Sequence, residues 1–538
     1  MTEVTSLRPL LAVAVAAATI GLVLASHRRP NVREGWSLLA AVSMFIVVAS
    51  MVPGVLEGTV FAWRYETFVP HVDLALRADP LGMVFALLAS GLWIVATVYS
   101  IGYMRGLEEH AQTRYFAAFA GSLAAAVGVA FAANLVTIFV FYELLSVATY
   151  PLVAHDETRE ARLAGRKYFA YTFLGGGVLV LGGAAVVFWL TGAHGDPTTA
   201  FSAGGIEALA VAADADPWAA RGGFALLSLG FGVKAALIPL HSWLPDAMVA
   251  PTPVSGLLHA VAVVKSGVFG IARVVLDVYG LEVVGALDAA LPLAAMAAFT
   301  IVAASVVALR QDNLKRRLAY STVSQLSYIV LGLAVAAAGG AKLAVIGGLL
   351  HIPAHGFMKL TLFLCAGAIH VETHTDDVSE MAGIGRRMPL TMAAFAVAAA
   401  GMAGMPLVAG FVSKLYLLLG TLEAGALIFT AALLLSGILN VAYFWPVVYT
   451  AFFEGPATTD HDPKPILEHL PGGGHRVLAD GHGATGGWEP RGWRGDESTW
   501  FLIGPILAVA VCSVVLGIVP EQAVFLRLVE LVAEGVTP

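Results

Sequence analysis

Residues 231–270 read FGVKAALIPLHSWLPDAMVAPTPVSGLLHAVAVVKSGVFG, and this stretch holds the features that decide the fold. Lys234 and Lys265 each lie within an apolar segment long enough to cross a lipid bilayer. Four prolines separate them, and proline removes a backbone donor and breaks a helix. Broken helices at membrane depth are tolerated only against protein or a wet cavity. The stretch therefore predicts interrupted helices that face the interior of a membrane bundle.

The composition of the whole chain places it in a membrane. Hydrophobic residues make up 58% and charged residues 12% of the 538 residues, and the mean hydropathy is +0.82. A soluble domain could not bury so much apolar surface, so lipid must be the solvent for most of it. The net charge of −7, without a basic stripe interleaved with aromatic residues, argues against nucleic acid as a partner. Cys365 and Cys512 both lie in apolar runs, which indicates neither a disulfide framework nor a thiolate metal site.

The apolar pattern predicts an all-α polytopic membrane protein with about fourteen transmembrane helices. A window of roughly 20 residues suits a bilayer span, and the limits it gives are 8–25, 36–55, 80–101, 114–132, 134–154, 168–192, 222–250, 254–278, 285–309, 318–337, 343–369, 389–420, 425–452 and 499–520. The first run lacks the basic flank and cleavage site of a signal peptide. It is therefore interpreted as the first membrane helix.

The distribution of Lys and Arg predicts the orientation. One set of alternate loops holds 19 of the 30 basic residues, the opposite set holds seven, and four lysines lie inside spans. Basic loops stay in the cytoplasm. We therefore expect a multi-pass protein of the cell inner (plasma) membrane with both termini outside.

The broken-helix pattern recurs in GMPLVAGFVSKLYLLL (404–419), where Pro406 precedes Lys414. Repeated units with broken helices are the usual architecture of ion translocators, so two five-helix repeats are expected. The predicted division is 1–113 (N-terminal helices 1–3), 114–278 (first repeat, helices 4–8), 279–452 (second repeat, helices 9–13), 453–498 (cytoplasmic Gly/His-rich loop) and 499–538 (C-terminal helix 14).

The loop 453–498 is interpreted as a flexible connection before the last span. A metal site is the alternative, although the histidine spacings match no standard ligand pattern. Its candidate ligands are His461, His469, His475 and His482.

Four lysines, one glutamate and three histidines lie well inside the predicted spans. A charged group at bilayer depth costs at least about 2.5 kcal/mol, and such groups usually mark ion or proton pathways. These residues therefore predict a proton-handling or cation-handling route, and the proton-transfer candidates are Glu143, Lys234, His259, Lys265, His351, His355, Lys359 and Lys414.

Glu143 is the only acidic residue well inside a span, and we expect it to pair with Lys234. A carboxylate close to a lysine can stay ionised where a lone buried one would be protonated. Separating such a pair leaves an unpaired buried charge, at a cost of roughly 3–5 kcal/mol. That is large enough to drive the proton of the lysine onward. A static ion pair that only fixes packing is the competing interpretation.

His351, His355 and Lys359 are spaced i, i+4 and i+8 and form one stripe along a helix. Imidazoles titrate near neutrality and can pass a proton along such a stripe. A zinc pair is the rival interpretation, but there is no Glu of an H-E-x-x-H motif and no obvious third ligand. For His259, six residues from Lys265, a structural histidine is the competing interpretation.

Together these residues resemble the antiporter-like membrane subunit family shared by Mrp-type cation/proton antiporters, respiratory complex I and membrane-bound hydrogenases. The resemblance covers about residues 80–450. Its motifs are FYELLS around Glu143, the stretch 231–270, QDNLKRRLAYSTVSQLSYIVLG (311–332), HIPAHGFMKLTLFLCAGA (351–368) and GMPLVAGFVSKLYL (404–417).

The resemblance implies a role for each candidate. Glu143 and Lys234 would form a paired switch, followed by a central connection at His259 and Lys265. The next link would be the stripe on 351–359, and Lys414 would be the exit. The resemblance also implies an ion transporter subunit without cofactors. Its expected partners are other small membrane subunits, H⁺, Na⁺ and the lipid bilayer.

The leading expectation is a subunit of a multisubunit Na⁺/H⁺ antiporter. Lys265 resembles the D-type Mrp subunit and His259 is more similar to the A-type, so both types stay open. About 18 residues follow the last predicted span, which leaves no room for the long lateral helix of one complex I subunit. The alternative is a proton-pumping subunit of a complex I-type oxidoreductase or membrane-bound hydrogenase, in which case it would belong to a translocase. A subunit that powers inorganic-carbon uptake and a membrane metalloenzyme are more distant options.

Overall fold

The structure, a computed structural model, describes residues 1–69, 72–455, 491–493 and 495–537. Helices dominate this part of the chain. They are α1 (Arg8–Ala25), α2 (Pro30–Ala49), α3 (Val52–Leu56), α4 (Pro80–Gly106), α5 (Gln112–Phe131), α6 (Leu135–Val153), α7 (Arg159–Phe169), α8 (Val178–His194), α9 (Glu207–Ala215), α10 (Pro217–Lys234), α11 (Trp243–Asp246), α12 (Thr252–Gly256), α13 (Val263–Arg273), α14 (Leu281–Ala286), α15 (Ala290–Leu309), α16 (Leu314–Gly339), α17 (Lys342–Thr373), α18 (Pro389–Ala403), α19 (Ala409–Glu423), α20 (Leu427–Phe453), α21 (Trp500–Ile518) and α22 (Val524–Val536).

The predicted all-helical membrane fold is confirmed. Among the described residues, 11 helices are long and apolar enough to cross a membrane, and each corresponds to one predicted span. The other three predicted spans, 222–250, 254–278 and 389–420, fall on interrupted helices. The exact count of fourteen spans stays a prediction. The predicted loop 453–498 and its four candidate histidine ligands lie largely or wholly outside the described residues.

Polar side chains cap the N-termini of several of the long helices. Asp79 accepts a hydrogen bond from the backbone of Gly82 at 2.8 Å at the start of α4. Asn134 caps α6 in the same way, and Asn313 caps α16. Such caps satisfy backbone donors that have no partner inside the helix. They therefore place the starts of these apolar helices.

A small sheet lies beside the bundle and was not predicted. Its strands, in the order β1-β2-β3, are β1 (Thr2–Thr5), β2 (Thr59–Val69) and β3 (Val72–Ala78). The first pair is parallel and the second is antiparallel. A 20-residue hydropathy window averages over strands this short. The signal that it missed is the run TVFAWRYETFV, which is rich in β-branched and aromatic residues.

The helices break where the prolines predict. Helix α10 ends at Lys234, and the chain turns before α11 begins at Trp243. The indole Nε1 of Trp243 donates to the backbone oxygen of Val233 at 2.8 Å. This carbonyl lies in the last turn of α10, where backbone oxygens lack partners within the helix. The side chain of Trp243 therefore stabilises the interruption.

Glycine lets the next helix pack closely against this break. A Cβ atom at Gly267 on α13 would lie 2.2 Å from the backbone nitrogen of Ala235 and 2.6 Å from the carbonyl carbon of Lys234. Both are backbone atoms and cannot move aside as a flexible side chain would. The end of α10 and the helix that holds Lys265 can therefore approach this closely only because residue 267 lacks a side chain.

A buried ion cluster joins the strand end to the bundle. Arg273 at the end of α13 is 1% exposed. Its guanidinium donates to both carboxylate oxygens of Asp79, each at 2.8 Å, and to Asp277 at 2.6 Å. Arg77 on β3 also donates to Asp79, at 2.9 Å. Because Arg273, Asp79 and Asp277 are buried, loss of the central cation would leave buried charge uncompensated.

We expect Arg273→Met to destabilise the protein by about 3–5 kcal/mol, the usual effect of removing one partner from a buried pair. The free energy of unfolding, measured in mixed SDS and mild-detergent micelles, tests this. Arg221→Met is the control, because Arg221 faces Asp288 in an exposed pair, and such pairs contribute about 0–1 kcal/mol. Arg273→Met/Asp277→Asn should recover part of the loss. Equal stability of Arg273→Met and Arg221→Met would contradict the role of the cluster.

Candidate ion-translocation site

The eight candidates lie on the elements that the broken helices bring together. Six of them are 0% exposed, namely Lys234, His259, Lys265, His351, His355 and Lys359. Glu143 and Lys414 are half-buried. No sequence pattern alone could show which of these side chains touch, because they come from distant segments of the chain.

Lys234 contacts the helix that carries Glu143, but the predicted ion pair is not formed. The amine of Lys234 donates to the backbone oxygen of Tyr142 and lies 3.3 Å from the centroid of the Tyr142 ring. Among the ion pairs of the described residues, none within 4.0 Å joins Glu143 to Lys234.

The geometry of α6 explains this correction. The side chains of neighbouring residues on a helix point about 100° apart. The amine of Lys234 lies over the Tyr142 ring and is therefore offset from the direction of the Glu143 side chain. The Oε1 atom of Glu143 is buried and has no hydrogen-bond partner among the described residues. It lies where a Cβ atom on Gly177 would come within 2.4 Å. The amine of Lys234 therefore contacts Tyr142, while the carboxylate of the next residue on the helix lies against Gly177.

The predicted central connection is partly formed. Lys265 Nζ lies 2.8 Å from His355 Nδ1. Within the described ranges, neither ring nitrogen of His259 has a hydrogen-bond partner, and its ring packs against Phe363 with centroids 4.7 Å apart. Lys265 therefore connects to α17 through His355, and the structure does not place His259 in that contact.

His351 is held at both ring nitrogens. Its Nδ1 lies 2.9 Å from Ser413 Oγ on α19, and its Nε2 lies 3.0 Å from Gln325 Oε1 on α16. The rings of His351 and His355 lie 6.0 Å apart on the same face of α17. An amide oxygen only accepts hydrogen bonds, so the contact with Gln325 places a proton on Nε2.

Lys234, Lys265, His355, His351 and Lys414 are together called the row. Lys414 is its last member and lies at the second helix break. Its amine donates to the backbone oxygen of Met402, near the end of α18, where backbone carbonyls carry partial negative charge. It also lies 5.0 Å from the centroid of the Tyr328 ring, which stacks on His351 at 5.4 Å. Tyr328 therefore lies between Lys414 and the histidine stripe.

The amine of Lys359 does not bond to His351 or His355, with which its spacing predicted a common stripe. Its amine donates to the backbone oxygen of Leu318 at 3.1 Å and to Ser321 Oγ at 2.9 Å, both on α16. The i, i+4, i+8 stripe is present on α17, but its third member bonds to partners that the first two do not share. Its placement in the predicted proton route stays a prediction.

A polar branch leaves the row at Gln325. Its amide nitrogen donates to Asn440 Oδ1 at 3.4 Å, and the hydroxyl of Tyr443 donates to the same oxygen. Arg317, at the loop end of α16, donates to the backbone oxygen of Tyr443 at 3.1 Å. Polar groups thus extend from His351 towards the end of the bundle that holds the basic loop 310–317.

The sequence motifs did not reveal the partners of the charged residues. Tyr142, Gln325, Tyr328 and Ser413 contact the row, yet none carries a charge. A signal was present for Gln325, because an amide inside a predicted span also needs a partner in lipid. The predicted route rested on ionisable residues alone and therefore passed over it.

Amines and imidazoles at these distances can hand a proton from one nitrogen to the next. Lys265 and His355 are in direct contact, whereas Lys234 and Lys265 share no hydrogen bond. Polar groups further apart than about 3.5 Å are commonly bridged by water. A membrane-embedded helical bundle with such a row in its interior defines the class of ion-translocating membrane proteins.

Family models agree with this class. Residues 132–439 match the model described as "NADH:quinone oxidoreductase/Mrp antiporter, TM", and residues 67–116 match "NADH-Ubiquinone oxidoreductase (complex I), chain 5 N-terminus". The chain belongs to the NADH:quinone oxidoreductase/Mrp antiporter family. The family predicted from the sequence motifs is thereby confirmed.

Curated relatives include members of both kinds of complex. The chain is 34% identical over 472 residues to NADH-quinone oxidoreductase subunit N of Desulforudis audaxviator, covering 86% of each chain. It is 33% identical over 376 residues to the A-type Na⁺/H⁺ antiporter subunit of Alkalihalophilus pseudofirmus, covering 67% of this chain and 44% of that one. The chain therefore spans less than half the length of this antiporter subunit.

Solved structures show the same fold. A chain in the Mrp complex from Dietzia sp. DQ12-45-1b matches with a TM-score of 0.81 at 22% identity, covering 99% of this chain and 98% of that chain. A chain in the archaeal membrane-bound sulfane sulfur reductase matches with a TM-score of 0.80 at 23% identity over the same shares. The fold is therefore common to an Mrp complex and a respiratory complex.

We expect Gln325→Leu to lower transport about tenfold, because it leaves the buried Nε2 of His351 without its acceptor, a loss of about 1–3 kcal/mol. Proton flux in inverted membrane vesicles measures the effect, with the amount of assembled complex checked by native gel. Ser327→Ala is the matched control, since Ser327 is buried on the same helix and bonds only its own helix, at Val323. Similar flux in both variants would remove Gln325 from the route.

Proposed function

We propose that the chain is the proton-translocating membrane subunit of a multisubunit Na⁺/H⁺ antiporter, in which inward proton flow drives cation export. The observation that carries the proposal is the contact of Lys265 with His355 at 2.8 Å, deep in the bundle. Similarity to an A-type Na⁺/H⁺ antiporter subunit and to a chain of the Mrp complex supports it.

In this proposal Lys234 alternates between two oxygen partners. One is the backbone oxygen of Tyr142, which it contacts in the structure. The other is the carboxylate of Glu143, the next residue on α6, whose Oε1 is buried without a partner. A proton on Lys234 is stabilised while the carboxylate is close and is released when the two separate, because an unpaired buried charge costs roughly 3–5 kcal/mol.

The released proton passes to the second repeat through Lys265 and His355. At 2.8 Å, one of these two nitrogens donates and the other supplies a lone pair, so the pair does not carry two positive charges. A proton that arrives on Lys265 can therefore be offered to the imidazole. From there the route continues along the stripe on α17 to Lys414, which the proposal makes the exit.

The proposal includes an orientation and a set of partners. Both termini lie outside, and the loops that hold most of the Lys and Arg lie in the cytoplasm. Other small membrane subunits complete the antiporter, as the matches to chains of multisubunit complexes support. The division into two five-helix repeats, 114–278 and 279–452, assigns the interrupted helix that carries Lys234 to the first repeat and the one that carries Lys414 to the second.

A second function, proton pumping within a redox complex, is favoured by the length over which the chain matches one relative. The match to NADH-quinone oxidoreductase subunit N covers 86% of both chains, whereas the antiporter relatives are much longer than this chain. In a redox complex the same row would pump protons, and the driving reaction would belong to partner subunits of a translocase. The sequence itself holds no quinone, flavin or iron–sulfur motif.

We expect Glu143→Ala and Lys234→Ala each to reduce cation-driven proton transport to below about a tenth. Removing one partner eliminates the alternation and leaves the other charge unpaired in the bundle. The measurement is the Na⁺-induced collapse of a pH gradient in inverted vesicles from an antiporter-deficient host that expresses the whole operon.

Two substitutions at exposed positions serve as matched controls. Glu282→Ala removes an exposed carboxylate, and Lys342→Ala removes a half-exposed amine at the start of α17. Both should transport normally. Near-normal transport in either Glu143→Ala or Lys234→Ala would exclude the pair from the mechanism. No Na⁺ response in the wild type, combined with proton pumping driven by a respiratory substrate that Lys234→Ala abolishes, would favour the redox complex.

A further inference from the structure

Outside the spans, two loops bring three metal-ligating side chains together at one end of the bundle. Glu109 and His110 lie between α4 and α5, and His155 follows the end of α6. Glu109 Oε2 lies 3.8 Å from His110 Nδ1 and 3.8 Å from His155 Nε2. One donor atom from each residue lies within 4.8 Å of the other two.

His155 is the unusual member of this group. Its side chain is 0% exposed, yet neither ring nitrogen has a hydrogen-bond partner among the residues that the structure describes. The ring packs against the edge of Tyr115 with centroids 5.8 Å apart, and the backbone oxygen of His155 accepts from Arg114 at 2.9 Å. Leaving a buried polar atom unpaired costs about 1–3 kcal/mol. The imidazole is thus fixed in position with a free nitrogen directed at Glu109.

His155 lies beside one further imidazole and one guanidinium. Burial is the main cause that lowers the pKa of His155, and the neighbouring His110 and Arg114 lower it further. The imidazole of histidine is a common metal ligand. The charge of Arg114 is balanced by its ion pair with Glu157.

Two imidazole nitrogens and a carboxylate oxygen are a ligand set typical of zinc sites with an open fourth position. Bond lengths of about 2.0–2.2 Å to a tetrahedral ion bring the donor atoms to about 3.4 Å from one another. The separations in the structure, up to 4.8 Å, exceed this by at most about 1.4 Å. The side chains of Glu109 and His110 are 21% and 51% exposed, so both can close around an ion that enters from solution.

We propose that Glu109, His110 and His155 form a binding site for a divalent transition metal ion, with Zn²⁺ as the preferred ion. The site lies apart from the row of buried lysines and does not depend on the transport function. A bound ion joins the loop after α4 to the end of α6, the helix that carries Glu143. It also supplies the partner that the buried imidazole lacks in the described part of the chain.

The test uses the intact complex, purified with a tag that contains no histidine and stripped of metal with a chelator. Co²⁺ is titrated first, because its visible spectrum distinguishes four-coordinate from six-coordinate binding, and Zn²⁺ then displaces it. We expect the wild type to show a four-coordinate Co²⁺ spectrum. His110→Ala and Glu109→Gln should each bind at least about tenfold more weakly, since even changes behind the ligands cost about 10–100-fold.

The controls separate this site from other histidines. His27→Ala, at an exposed position that is not part of the cluster, should bind as the wild type does. So should the variant in which the loop histidines His461, His469, His475 and His482 are all alanine. His155→Ala should abolish binding, and elution as an assembled complex on gel filtration shows whether that variant folds.

Two results would overturn the proposal. One is unchanged Co²⁺ and Zn²⁺ affinity in both His110→Ala and Glu109→Gln, variants at partly exposed positions that do not disturb the buried ring. The other is loss of the four-coordinate spectrum in the variant that lacks the loop histidines, which would place the metal in the segment 453–498. Because binding is measured directly, neither result bears on whether the complex transports Na⁺.

Discussion

The structure depends on one constraint: a charged or polar side chain inside a bilayer must find its partner within the protein, because lipid offers none. The intramembrane lysines satisfy this constraint in two ways. Lys234, Lys359 and Lys414 donate to backbone oxygens, whereas Lys265 contacts an imidazole. A carbonyl oxygen has two lone pairs and can accept from a side chain in addition to its helix partner. Backbone oxygens therefore hold amines that form no ion pair with a carboxylate.

The same constraint explains why the helix breaks lie next to buried lysines. A continuous helix has its polar ends outside the membrane. An interrupted helix also has polar ends inside the bundle, at membrane depth. Helix α10 ends at Lys234 within the bundle, and the end of α18 offers the oxygen of Met402 to Lys414. Each break thus combines a buried amine with unpaired backbone groups. Gly267 allows the neighbouring helix to cover the first break without separating it from Lys265.

Much of the fold was predictable because lipid imposes long apolar runs that composition alone reveals. Eleven predicted spans correspond to spanning helices, and the other three fall where prolines interrupt a helix. The sheet was missed because β2 and β3 are shorter than the window that detects a span. The candidate site was predictable in its charged members and not in their partners, since Gln325 and Tyr328 are uncharged and come from another helix.

The sequence by itself determined the class of protein, the buried position of its lysines and histidines, and the family. It did so because charge in an apolar run is costly and is therefore visible as an exception. Only the tertiary structure decided which partners these groups take. It placed Lys234 on Tyr142 and not on Glu143, and it turned Lys359 away from His355. Partner choice depends on helix rotation and on close approaches between distant segments, which no local spacing encodes.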